Sequence, residues 1–228
     1  MQTLAMEPVE IYAACRARLL ELAPSLSTDQ LAASLAATPP WNVLDGYRHL
    51  TGVCVDVLDG NMEGAGSPQW TDAQLAVRSE ASIDEVCAEW SSRAAEIDER
   101  ITVAGQAMAF MAFDAWTHEQ DVRAAAGLGG VRDDALVPAL AALTLATFGG
   151  RYSSAGAPAV TIVVDGASQV LGEGEPVATL DTTSYELLRI IFGRRSEAQI
   201  ASAGWSGECA QPITAIHLFD PPPIDIAD

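Results

Sequence analysis

Between residues 104 and 125, small or apolar residues recur at alternating steps of four and three: Ala104, Met108, Met111, Ala115, Val122 and Ala125. That period lines side chains along one stripe of a helix, so the segment predicts a long helix with its stripe against a core. His118 fills the one slot of the stripe left without an apolar residue. Asp114 precedes it by four positions, and residues so spaced on a helix have Cβ atoms roughly 5–6 Å apart. Asp121 follows one turn later. Ionisable groups on a buried stripe are costly unless something pairs with them. A fold built on this helix must therefore bring a partner to Asp114 and His118. A metal ion with a third ligand from elsewhere in the chain is the economical one.

His49 is the candidate third ligand. It lies in Trp41-Asn42-Val43-Leu44-Asp45-Gly46-Tyr47-Arg48-His49-Leu50, the start of a second amphipathic helix. The apolar stripe there runs through Val43, Tyr47, Leu50, Cys54 and Val57, and His49 sits beside its centre. That position suits the margin of a bundle, open to a cleft. Two histidines and a carboxylate form a three-ligand set with a vacancy, as in catalytic zinc and non-haem iron sites. The same spacing also describes a core histidine hydrogen-bonded to Asp114, with His49 merely exposed, and the pattern alone does not choose. His217, the remaining histidine, follows an alternating run and reads as a surface-strand residue.

Composition narrows the classes. A net charge of −19 argues against nucleic acid and anionic membranes as partners. All 12 basic residues are arginine. Schiff-base and pyridoxal phosphate chemistry, which need a lysine amine, are thereby excluded. Cys15, Cys54, Cys87 and Cys209 are scattered, with no close pair, and read as reduced thiols. The first residues carry neither a basic region nor a long apolar core, and Ala135 to Phe148 is too short to span a bilayer. The expectation is a cytoplasmic protein.

The helical period holds over the first 150 residues, which predicts an antiparallel helical bundle. Its helices run from about Val9 to Leu22, from after Pro40, from Thr71 to Arg100 with an interruption at Ser79–Ser82, through Asp114 and His118, and from Asp133 to Phe148. Gly149 to Pro158 is rich in Gly, Ser, Ala and Pro and is expected to separate the bundle (1–150) from a small α+β domain (157–228). There, Val160 to Val164 reads as a strand ending at a turn, Val177 to Leu180 as a second, Ser184 to Phe192 as a helix, and Ile213 to Phe219 as a closing strand.

Four motifs in order resemble the mycothiol-dependent maleylpyruvate isomerase family of actinobacteria. They are Thr38-Pro39-Pro40-Trp41-Asn42-Val43 leading to His49-Leu50; Gln69-Trp70-Thr71 with Arg78; His118 followed by Asp121-Val122-Arg123; and Thr183-Ser184-Tyr185-Glu186-Leu187-Leu188-Arg189 with Gly193-Arg194-Arg195-Ser196. They cover most of the chain. The resemblance implies a DinB-like up-and-down bundle followed by a small α+β domain. It also implies a divalent metal, usually zinc, on His49, Asp114 and His118, and mycothiol as thiol co-substrate. The family pattern has glutamate where this chain has Asp114, one methylene shorter.

An open metal position can hold a thiol as thiolate at neutral pH. Such a thiolate could add to an activated double bond and leave, which is cis–trans isomerisation, or stay on an electrophile, which is S-transfer. The expected partner is a small electrophile or unsaturated acid. Its carboxylates would need arginine, and Arg194 and Arg195 are the candidates, with Arg48 and Arg123 behind them. Asp121 reads either as an acceptor orienting a ligand histidine or as a structural partner of Arg123 or another arginine. Two other classes stay open: a non-haem iron oxygenase on the same ligands, and a non-catalytic binder in which Asp114 marks loss of the metal.

Overall fold

The computed structural model describes residues 6–228; residues 1–5, which begin the stretch read as lacking a leader, lie outside it. Contacts divide the described chain into two units, 6–130 and 131–227.

The first unit is a helical bundle. Its elements are α1 (Pro8–Leu22), α2 (Thr28–Leu31), α3 (Val43–Asp59), α4 (Pro68–Val77), α5 (Ile83–Ser92), α6 (Ala94–Ala104) and α7 (Ala109–Ala125). Capping boxes set four of the starts: Glu7 with Glu10, Ser27 with Gln30, Asn42 with Asp45, and Ser82 with Glu85. α1 packs along α7 and α6, and α3 packs against α4, α5 and α7. The expected stripe of α3 is buried at Val43, Tyr47, Leu50, Cys54 and Val57. Buried polar tips find partners: Trp90 Nε1 donates to the Tyr12 hydroxyl at 2.9 Å, and the Tyr47 hydroxyl donates to Leu19 O at 2.9 Å. Burial raises the pKa of both tyrosines, so the hydroxyls stay protonated at any ordinary pH.

The long helix expected from residue 104 onward is broken. Gly105 adopts φ +55, a 3₁₀ turn spans Gly105–Met108, and α7 starts only at Ala109. Ala104 and Met108 thus lie outside the helix that carries Asp114 and His118. From Ala115 to Val122 every residue of α7 is buried. Glu119, fully buried, accepts from Arg18 Nε (2.7 Å) and Nη2 (2.6 Å) and from Arg123 Nε (3.0 Å), which clamps α1 to α7.

The second unit opens with α8 (Leu136–Ser154), which packs on α9 (Ser184–Ile191) and on β2 (Ala167–Leu171). The fifth helix of the sequence reading therefore belongs to this unit, and the contact boundary falls at 130/131, before the glycine-rich stretch. Gly149 and Gly150 lie inside α8: burial of Phe148 and Tyr152 outweighs a propensity cost of about 1 kcal/mol for each glycine. The sheet has the order β2-β1-β3-β4, with β1 Val160–Val164, β3 Ala178–Thr182 and β4 Gly204–Gly207. β1 pairs antiparallel with β2 and parallel with β3; β4 runs antiparallel to β3. The β1–β2 hairpin turns on Asp165 (φ +50) and Gly166 (φ +82), as a two-residue Asp-Gly turn requires.

The closing strand expected at Ile213 to Phe219 is not one. α10 (Glu197–Ser202) leads into β4, which takes that place in the sheet, and Ala210–Ala215 forms a short helix, α11. A Cβ on Gly204 would overlap the Asp181 carbonyl oxygen, so the close approach of β4 requires glycine there. His217 accordingly follows α11 and is not on a strand.

Glu186 on α9 accepts from Arg195 Nε (2.8 Å) and Nη2 (3.0 Å) and from Arg132 Nη1 (2.9 Å). Burial alone would raise its pKa, but the two guanidiniums hold it below the usual carboxylate value. A depressed folded-state pKa contributes stability above the unfolded value, which is lost as pH falls through the folded one. Melting wild type and Glu186→Gln between about pH 6 and 3 should show their stability difference shrinking below about pH 4.3. A difference that stays constant would exclude this linkage.

Among the described residues, no helix is long and apolar enough to cross a membrane.

Candidate metal centre

The packing of α3 on α7 brings His49, Asp114 and His118 together. Asp114 Oδ1 lies 3.5 Å from His49 Nε2 and 3.5 Å from His118 Nε2. One donor atom from each of the three residues falls within 4.8 Å of the others. Both histidines are buried, at 4% and 5% exposure, while the Asp114 side chain is 27% exposed. The set thus opens to solvent on the aspartate side.

These distances test the fit to a metal. A nitrogen–carboxylate contact of 3.5 Å is long for a hydrogen bond, whose usual range ends near 3.2 Å. It is close to the edge of a tetrahedron with bonds of roughly 2.1 Å, which is about 3.4 Å. The donor set suits zinc or another borderline divalent ion. Aspartate therefore reaches both imidazoles although it is a methylene shorter than glutamate.

The outer nitrogens of the two imidazoles face polar side chains. His118 Nδ1 faces Asp121 Oδ2 at 3.5 Å. Arg123 instead donates to Glu119. His49 Nδ1 is 2.9 Å from Gln74 Oε1, and Gln74 Nε2 donates to Asp56 Oδ2 at 2.7 Å. The Trp41 ring lies 4.9 Å from the His49 ring and 5.8 Å from that of His118, nearly parallel to the latter at 28°. Trp41 is thus more than bundle-edge packing: the loop before α3 lays it against both imidazoles.

Gln74, Asp56 and Trp41 were not legible as site residues. α4 has little helical amphipathicity, and its single buried residue is Gln74. A polar side chain in the one buried slot of a helix is the signal, but it shows only once α4 has been placed on α3.

Of the arginines expected to meet substrate, Arg194 and Arg195 lie in the second unit. Arg195 embraces Glu186 and donates to Arg194 O at 2.8 Å, and Arg194 Nη1 donates to Phe192 O at 2.6 Å. Arg195 and Glu186 line a separate open cavity of about 650 Å³, together with Asp165, Asp181 and Gln199. Arg48 pairs with Asp45 at 3.0 Å and donates to Ser79 O and Ala81 O. Each of the four is engaged within the protein.

Cys54 and Cys87 have thiols pushed up to about 11, chiefly by burial. Neither is a thiolate at neutral pH.

No family model matches the chain, and no curated protein sequence matches it significantly. Among solved structures it is similar to the mycothiol-dependent maleylpyruvate isomerase. A histidine-to-alanine mutant of that enzyme aligns with a TM-score of 0.50 and 13% identity, over 82% of this chain and 88% of that one. A second structure of that enzyme aligns with a TM-score of 0.48 and 14% identity, over 82% of this chain and 87% of that one. At such identity the likeness is one of fold, and it spans both the bundle and the α+β unit.

Proposed function

We propose that this protein is a metal-dependent enzyme that uses a low-molecular-weight thiol as nucleophile, acting as a cis–trans isomerase of an unsaturated acid or as a thiol S-transferase. The observation that carries this reading is the convergence of His49, Asp114 and His118, with Asp114 at tetrahedral-edge spacing from both imidazoles and exposed to solvent. The shared fold with an enzyme named for mycothiol makes that thiol the first candidate co-substrate.

His49 Nε2, Asp114 Oδ1 and His118 Nε2 would hold the cation, zinc being the first choice for this donor set. A divalent cation there supplies one thing, a lowered pKa for a thiol brought to its open position. The chain's own residues do the rest. Asp121 lies 3.5 Å from His118 Nδ1 and would receive the proton of that nitrogen once a cation takes the Nε2 side. Trp41 covers the imidazoles and keeps water from them. Cys54 and Cys87 remain thiols and do not supply that nucleophile.

In isomerisation a C–S bond forms at the activated alkene carbon as its π electrons shift onto the conjugated carbonyl. The carbon–carbon bond rotates, and the C–S bond breaks with return of the electrons. Thiol and substrate leave with their atoms unchanged. In S-transfer the C–S bond persists and a leaving group or proton completes the balance. Arg194 and Arg195 are proposed for the substrate carboxylates on charge alone, and either would have to exchange its present partner for substrate.

The test is elemental analysis after equilibration with zinc, followed by incubation with mycothiol and a cis-unsaturated oxo acid or a simple electrophile. About one zinc per chain and thiol-dependent turnover are expected. A folded protein that takes up no zinc would overturn the reading in favour of a non-catalytic ligand binder. Stoichiometric iron with oxygen consumption would point to an oxygenase instead.

A further inference from the structure

We infer that Gln74, held by Asp56, is a positioning residue that fixes the His49 ring with its proton on Nδ1 and its Nε2 lone pair aimed at Asp114 and His118. The inference rests on reading that cluster as a metal centre, but its first readout does not need the metal.

Asp56 as carboxylate only accepts, so the Gln74 atom 2.7 Å from it must be the amide nitrogen. The other end of the amide, 2.9 Å from His49 Nδ1, is then the carbonyl oxygen, which also only accepts. Nδ1 must therefore carry the proton. In neutral imidazole that leaves Nε2 as the lone-pair atom, which is the atom on the Asp114 side.

Three further observations show that the place is built for this side chain. Gln74 is 3% exposed and is the single buried residue of α4. Arg78 Nη1 donates to Gln74 O at 3.3 Å, and its guanidinium is held in turn by Glu89 at 2.7–2.8 Å. Gly52, three residues after His49 on α3, leaves the space: a Cβ there would lie 2.6 Å from Gln74 Cβ and 2.7 Å from its Cγ. Any side chain at residue 52 would push the amide off the imidazole. His118 has its carboxylate in direct reach, at Asp121. His49 has one too, relayed through an amide.

The experiment is long-range ¹H–¹⁵N correlation of the histidine rings in metal-free protein at a pH where His49 is neutral, with zinc affinity measured by competition against a chromophoric chelator. Wild type should show His49 protonated on Nδ1. In Gln74→Leu the Nδ1 proton preference should be lost and zinc binding should weaken roughly 10–100-fold. Asp56→Asn, at a part-exposed position, tests the same chain if Gln74→Leu does not fold. Its amide can donate, lets the Gln74 amide turn over, and should move the His49 proton towards Nε2. A wild-type His49 protonated on Nε2 overturns the inference, as does an unchanged tautomer in whichever of the two variants folds. If wild type takes up no zinc, the functional reading falls while the tautomer still decides this one.

Discussion

Arg18→Met is expected to destabilise the bundle by about 3–5 kcal/mol, because it strands a buried carboxylate. Glu119 is wholly inaccessible and takes two of its three charge-assisted bonds from Arg18. With Arg18 gone it keeps the single 3.0 Å contact from Arg123. Methionine preserves most of the aliphatic stem, so the loss measures charge and not packing. The sharper part of the expectation is the double variant, Arg18→Met with Glu119→Leu. Replacing a buried ion pair with apolar groups of similar volume is often neutral, so the double variant should recover most of the lost stability. Denaturant unfolding of all four proteins closes the cycle. A double variant no better than the single would mean that the clamp contributes through shape and not through charge.

His118→Ala should lower zinc affinity by about 10²–10³-fold. Apparent structural-zinc free energies of about 10–16 kcal/mol spread over four ligands give roughly 3 kcal/mol for each. The bundle should stay folded: His118 occupies one slot in a helix buried on every side from Ala115 to Val122, and its removal leaves a modest cavity. Competition with a chelator reads the affinity, and circular dichroism the fold. Zinc binding within a fewfold of wild type would remove His118 from the centre. Thiol-dependent turnover should fall in parallel.

The sequence exposed the local half of this site. Asp114 and His118 are joined by the helix period alone, and that rule survives the break at Gly105 because both residues lie beyond it. His49 needed a tertiary step, the packing of α3 on α7, and was reachable because histidines are scarce. Gln74 and Asp56 were out of reach: nothing in the weakly patterned α4 says which residue turns inward. The bundle followed by an α+β unit was equally legible, from a helical period giving way to β-branched runs. Its details were not. The alternating, β-branched run near Ile213 imitates a strand, whereas the real edge strand is Gly204–Gly207, chosen for close approach over propensity. The ten residues from Gly149 look like a linker in composition, yet the first six continue α8.

The anchoring of α4 has a thermodynamic consequence. A helix whose one fully buried side chain is an amide, with Trp70 and Leu75 half-buried beside it, owes part of its placement to that polar contact. Its docking and the orientation of His49 are then coupled through Gln74. Any cation that selects the oriented imidazole also favours the docked helix, so the measured affinity would contain a contribution from a segment that meets the centre only through the far nitrogen of His49.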